Sequence, residues 1–213
     1  MENLPDFILI AVILLNFFLL GTSRLGACVQ AVALQGALLS LLPPLLSGPT
    51  IHALALAVGA FCLKGLVIPT LLLRAIRKLG INREIEPRIG YIPTLLLVAL
   101  FTAGAFVFGD RLPLLTVHLH TMTIPASLAT LAAGFLTLIT RRKAITQVLG
   151  YLIFENGIFI FGVLLAEAMP LMVETGILLD LLVAIFVMGI VMNHINREFS
   201  CSVDTDHLNL LRE

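Results

Sequence analysis

Residues 141–157 read Arg141-Arg142-Lys143-Ala144-Ile145-Thr146-Gln147-Val148-Leu149-Gly150-Tyr151-Leu152-Ile153-Phe154-Glu155-Asn156-Gly157: three cations, then an apolar run enclosing one carboxylate. If that run crosses a bilayer as a helix, Glu155 stands about 17 Å beyond Ala144, near the middle of a hydrocarbon layer about 30 Å thick. An ionised side chain at that depth costs at least about 2.5 kcal/mol on insertion scales, so it calls for a partner or a use.

The whole chain has the composition that this run implies. Of 213 residues, 59% are hydrophobic and 12% charged, against about 45–50% and about 25% in soluble domains. With a mean hydropathy of +1.07, too few polar groups remain to cover a water-soluble fold, and the reading is an all-α integral membrane protein. The formal net charge is zero and no basic tract occurs, which gives no reason to expect a nucleic-acid partner. Cys28, Cys62 and Cys201 show no metal-ligand or redox spacing and read as small buried hydrophobes. The N-terminus, Met1 to Asp6, lacks a basic n-region, so its apolar run reads as a retained first span rather than a cleaved signal.

Hydropathy predicts about seven transmembrane helices, over 5–22, 26–46, 52–78, 90–108, 122–140, 144–168 and 172–196. No period-2 alternation favours barrel strands, and lipid-facing backbone must satisfy itself, so the spans are helical. Arg24, the cluster Arg74 to Arg88, the triplet Arg141 to Lys143, and Arg197 all fall on one side, with Arg111 on the other. The positive-inside rule then places the N-terminus outside and the C-terminus in the cytoplasm, in the cell inner membrane.

The order of long and short connections suggests a duplication: a first three-helix unit at 1–78, an inside loop, linker helix and outer loop at 79–121, a second three-helix unit at 122–198, and an inside tail at 199–213. Aligning Arg24 with Arg141 sets Gln30 on Gln147, Gln35 on Leu152, and Lys64-Gly65 on Met188-Gly189. An odd linker helix between the units gives them parallel orientation. In the third span, Pro69 removes the amide that would bond the Gly65 carbonyl, so a kink or an opened carbonyl is expected beside Lys64.

Few ionisable groups lie within the apolar spans: Lys64, Glu155, Asp180 and, at the inner end of span seven, His194. Gln30, Gln35, Gln147 and Asn156 add polar sites that do not titrate. Intramembrane charges mark proton or ion relays, or pair with another helix. Burial and a neighbouring cation act on the protonation of Glu155 in opposite senses, so small rearrangements would let it load and release a proton. The rival reading is a static pair, with Lys64 a candidate partner, that only fixes assembly. Glu174 and Asp180 suit a wetted outer exit, whereas the His118 and His120 pair lacks a third ligand and predicts no metal site. Phosphate loops, CxxC, HExxH and nucleophile elbows are all missing from the sequence, so no catalytic centre or cofactor is expected on this chain.

The Arg141-Arg142 pair, Gly150, Asn156 and the three-helix pattern around them resemble the small K subunit of respiratory complex I and the C subunit of Mrp-type cation/proton antiporters. Over nearly the full length, with Phe154-Glu155-Asn156-Gly157 and a Leu-Leu-Asp180-Leu-Leu-Val string, the chain looks most like hydrogenase-4 component E, a membrane subunit of group 4 nickel-iron hydrogenase and formate hydrogenlyase complexes. K subunits carry a glutamate where this chain has Leu152, and the carboxylate here comes one turn later at Glu155. That displacement keeps nearly the same helix face and shifts the depth by about 4.5 Å. A second K-subunit glutamate would fall near Ile185, where Asp180 can only substitute. The resemblance implies a lateral chain of buried charges, Glu155, Asp180 and Lys64 with Gln30, Gln35, Gln147, Asn156 and His194 beside them. It also implies antiporter-like membrane neighbours and a peripheral hydrogenase arm holding iron-sulfur clusters and a nickel-iron centre.

Overall fold

A computed structural model of the chain describes residues 4–46, 48, 50–79, 88–111 and 122–165. All regular structure among them is helical: α1 (Leu4–Gly21), α2 (Leu25–Leu39), α3 (Leu42–Leu46), α4 (Ile51–Ala60), a π-helix (Phe61–Val67), α5 (Ile68–Leu79), α6 (Tyr91–Gly109), α7 (Thr123–Thr140) and α8 (Ala144–Leu165). Six stretches are long and apolar enough to cross a membrane, including Leu25–Leu46, which joins α2 to α3, and Ala53–Arg77, which joins α4 to α5. They coincide with the first six predicted spans. Span seven and the closing helix of the second three-helix unit lie outside the described residues.

Local chemistry explains the breaks. The hydroxyl of Thr50 caps α4 by accepting from the Ala53 amide at 3.1 Å, and Gly48 supplies the positive φ of 75° in the turn ahead of it. In the third span the disturbance expected beside Lys64 is a π-helix centred on that residue. The Ile68 amide reaches back five residues to the Leu63 carbonyl. Pro69 comes next, and its ring would crowd the carbonyl four residues earlier in an α-helix. A wider turn removes that clash, and π turns of this kind gather at functional positions.

α7 and α8 form an antiparallel pair, and α1 packs on α2, α6 and α7, while α2 packs against α1, α8 and the third span. Gly134 is what lets α7 and α8 close up, because any side chain there would run into the backbone of Phe154. Several basic turns gather at one end of this bundle. The Arg88 amide donates to the Thr140 carbonyl at 2.7 Å, and the Arg141 guanidinium donates to the Leu20 carbonyl at 2.8 Å. We call this the basic end.

The buried apolar residues fall into two clusters. One, towards the basic end, includes Leu20, Val32, Ile68, Leu136 and Ile153. The other, towards the opposite end, includes Val12, Leu39, Ala129 and Ile160. On the helices α1, α2, α7 and α8 the two sets are separated along the chain, and the gaps hold polar residues.

Candidate functional site

Those gaps are occupied by Asn16 on α1, Gln35 on α2, Thr130 on α7, and Glu155 with Asn156 on α8, all buried. Lys64, buried on the π-helix, faces the same level. A transverse polar layer thus divides two apolar halves. It is built of two neighbouring groups.

The first is charged. Lys64 Nζ lies 2.9 Å from Glu155 Oε1, with the side chains 6% and 3% exposed. The same ammonium stands 3.5 Å from Asn156 Oδ1 and 4.8 Å from the centre of the Phe159 ring. Glu155, Asn156 and Phe159, at i, i+1 and i+4, fall within about 100° of arc on α8, so one helix presents a carboxylate, an amide and an aromatic face to one cation. Room for the lysine stem comes from Gly36, whose missing Cβ would stand 2.6 Å from Lys64 Cβ. Ion pairs this deeply buried balance a large desolvation cost against their attraction, and removing one member leaves the other stranded.

The second group is neutral. Gln35 Nε2 donates to Asn16 Oδ1 at 2.8 Å and to the Val12 carbonyl at 3.2 Å. Asn16 Nδ2 donates to Thr130 Oγ1 at 3.0 Å, and that hydroxyl donates to the Ala126 carbonyl at 2.7 Å. Three helices are thereby tied by a directional chain of hydrogen bonds. Because Gln35 precedes Gly36, consecutive residues of α2 serve the neutral group and the charged one.

Of the residues read from the sequence, Lys64, Glu155 and Asn156 come together, and Gln35 lies beside them in the neutral group. Gln30 is exposed on the surface of the bundle and does not join. Gln147 sits at the basic end, where its Nε2 donates to the Arg141 carbonyl at 3.3 Å. Asp180 and His194 lie outside the described residues, as do His118, His120 and Glu174. Among the described residues no group of three or more His, Cys, Asp or Glu is placed to hold a metal ion.

Asn16, Thr130 and Arg141 are members of buried polar contacts that the sequence reading passed over. Asn16 carries the one amide in the apolar α1 run, and α7 sets Thr123, Ser127, Thr130 and Thr137 at helical spacing on one face. Both signals were present. Of the three cations in its loop, Arg141 is 4% exposed, with its guanidinium 4.5 Å from the Tyr91 ring.

No family model matches the chain, and no solved structure matches it. Among curated proteins, the uncharacterized protein Rv0085 of Mycobacterium tuberculosis is 31% identical over 99% of this chain and 96% of its own length. Hydrogenase-4 component E of Escherichia coli K12 is 30% identical over 72% of this chain and 71% of its own length, and hydrogenase-4 component E of Shigella flexneri aligns equally. With an identity at this level across most of both lengths, and with six apolar helices among the described residues to match a membrane component, the chain belongs to the hydrogenase-4 component E family.

Proposed function

We propose that this chain is a membrane-arm subunit of an ion-translocating, membrane-bound hydrogenase or formate hydrogenlyase-type complex, and that it contributes the Lys64–Glu155 pair to a proton path. The observation that carries the reading is an acid and an amine in contact at 2.9 Å in the middle of two apolar spans. A proton passing from the Nζ ammonium to Oε1 turns the ion pair into an amine and a carboxylic acid without changing the net charge of the site. Both states are stable in a low-dielectric layer when neighbours bias them, and the π-helix under Lys64 is a segment whose register such a neighbour can move.

The family relationship supports the setting. The named relatives are components of hydrogenase-4, and a chain with no catalytic motif of its own suits a subunit whose partners do the redox chemistry. In this reading those partners are antiporter-like membrane subunits and a peripheral hydrogenase arm with iron-sulfur clusters and a nickel-iron centre. The chain lies in the inner membrane with its N-terminus outside and its C-terminus cytoplasmic. Two K-like three-helix units in parallel orientation, seven helices in all, complete the arrangement, with Asp180 and His194 extending the path on the last helix.

The closure of the pair also favours a second reading, a structural subunit whose charges only hold helices and dock neighbours. The discriminating experiment is proton uptake by inverted membrane vesicles bearing the complex with Glu155→Gln, assembly being checked by co-purification. Assembled complex with proton uptake lost supports the path. Assembled complex with unchanged uptake overturns it and leaves the structural role.

A further inference from the structure

α7 differs from the other described helices in carrying polar side chains through both apolar halves of the bundle. Thr123, Ser127, Thr130 and Thr137 lie within about 80° of arc at 100° per residue, with Arg141 at the end of the same line. All are buried, at 1%, 0%, 0%, 7% and 4% exposure respectively. Small hydroxyls on a transmembrane helix can be satisfied by the preceding turn, and Thr130 and Thr137 do this, donating to the Ala126 and Ala133 carbonyls at 2.7 and 2.8 Å. Others do not. Among the described residues, Thr123 Oγ1, Ser127 Oγ, Gln35 Oε1 and Arg141 Nη1 are buried without a hydrogen-bond partner.

Three unpartnered polar atoms along the α7 line, with a fourth on α2 at Gln35, call for partners, since a buried polar group left bare is costly. At the basic end there is also space. A cavity between the α1–α2 and α7–α8 turns has Thr22, Ser23, Cys28, Thr137, Arg141 and Thr146 in its wall beside four apolar side chains, and its free space admits about one water molecule. A buried water typically makes about three hydrogen bonds, and this wall offers hydroxyls together with the guanidinium.

We propose that ordered water occupies the seam between α1, α2 and α7, in the cavity at Arg141 and at Ser127 and Gln35, on both sides of the Asn16–Gln35–Thr130 bonds. The seam is a hydrated site separate from the Lys64–Glu155 contact. Gln35 and Gly36, adjacent on α2, are where the two meet. The inference extends the proton-path reading by naming the route along which water reaches the polar layer, and it rests on the chain spanning a membrane.

Cysteine accessibility tests it on the full chain in its native membrane. With Cys28, Cys62 and Cys201 changed to Ala, Ser127→Cys and Thr137→Cys are compared with Ala129→Cys, which is equally buried but lies off the polar face. The probe is deuterium oxide, read as conversion of the thiol S–H to S–D by infrared spectroscopy, because a space of this size admits water and nothing larger. The two seam positions are expected to exchange about tenfold faster than Ala129→Cys, because the proton leaves the sulfur only where water can take it up. Equal rates at all three overturn the seam. Should either seam variant fail to accumulate, the native Cys28 on the cavity wall replaces it in a chain with only Cys62 and Cys201 changed, and a rate equal to that of Ala129→Cys again overturns the seam. Fast labelling with proton uptake unaffected by Glu155→Gln keeps the seam and removes the proton-path reading. Equal labelling with uptake lost does the reverse.

Discussion

Gly36 on α2 lies flat against Lys64, so close that a methyl group in place of its hydrogen would stand 2.6 Å from Lys64 Cβ and 3.1 Å from its carbonyl carbon. The obstacle is a Cβ and backbone rather than a flexible tip, so it cannot step aside. Gly36→Ala should therefore push the third span away from α2 and loosen the contact of Lys64 with α8. The expected loss is about 1–3 kcal/mol, in the range of overpacked sites. Thermal unfolding in mild detergent checks this, and a Gly36→Ala chain as stable as the parent would show that the approach is not tight.

The ion pair itself predicts non-additivity. Glu155→Leu takes the counter-charge from the Lys64 ammonium, and Lys64→Met takes it from the carboxylate, each at about 3–5 kcal/mol. Making both changes together removes both charges, and the double variant should be more stable than either single one. A double-mutant cycle measured by unfolding in mixed micelles should return a coupling above about 1 kcal/mol, as for residues in direct contact. Purely additive losses would mean that the two groups do not depend on one another.

How far the sequence reaches into this structure depends on what hydropathy can see. It locates six helices, because apolar length is a property of the chain alone. It also locates the disturbance beside Lys64, because Pro69 forbids an α-helical bond whatever surrounds it. It does not say which side of a helix meets protein. In lipid both sides are apolar: Ile92, Leu96 and Leu100 on α6 are exposed while Leu9 and Val12 on α1 are buried, with no difference in residue type to mark them. Gln30 and Gln35 show the consequence. They are identical side chains, turned about 140° apart on one helix, and only Gln35 enters the polar layer. Nor could composition have separated Arg141 from Arg142, neighbours of which one is buried and the other exposed.

That difference between adjacent arginines gives a third prediction. Arg141 donates to Leu20 across the α1 terminus and covers the Tyr91 ring, two tasks that suit a planar guanidinium and not a compact ammonium. Arg141→Lys should cost about 1–2 kcal/mol, the size of a desolvated cation–π contact with its hydrogen bond. Arg142→Lys, on an exposed side chain, should change stability by less than about 0.5 kcal/mol. Both keep the charge of the basic end, so membrane orientation is held constant, and equal effects in detergent unfolding would refute a special role for Arg141.

The neutral group makes the last prediction, and its sign follows from who donates to whom. Gln35→Leu takes away the donor to Asn16 Oδ1 and to the Val12 carbonyl but leaves Asn16 Nδ2 bonded to Thr130. Asn16→Leu breaks both links at once, while Thr130 keeps its own bond to Ala126. Hydrogen bonds between transmembrane helices average about 0.6 kcal/mol and reach about 1.7 kcal/mol, and each single change breaks two of them, so Gln35→Leu and Asn16→Leu both belong between those figures. Since either change already severs the bond they share, the double variant should cost less than the two losses added together. Gln30→Leu, turned away from the bundle, should cost nothing measurable. Unfolding measured on the four chains under one detergent condition decides the matter: a Gln30→Leu loss equal to that of Gln35→Leu would mean that burial in the polar layer gives Gln35 no special part in joining α1 to α2.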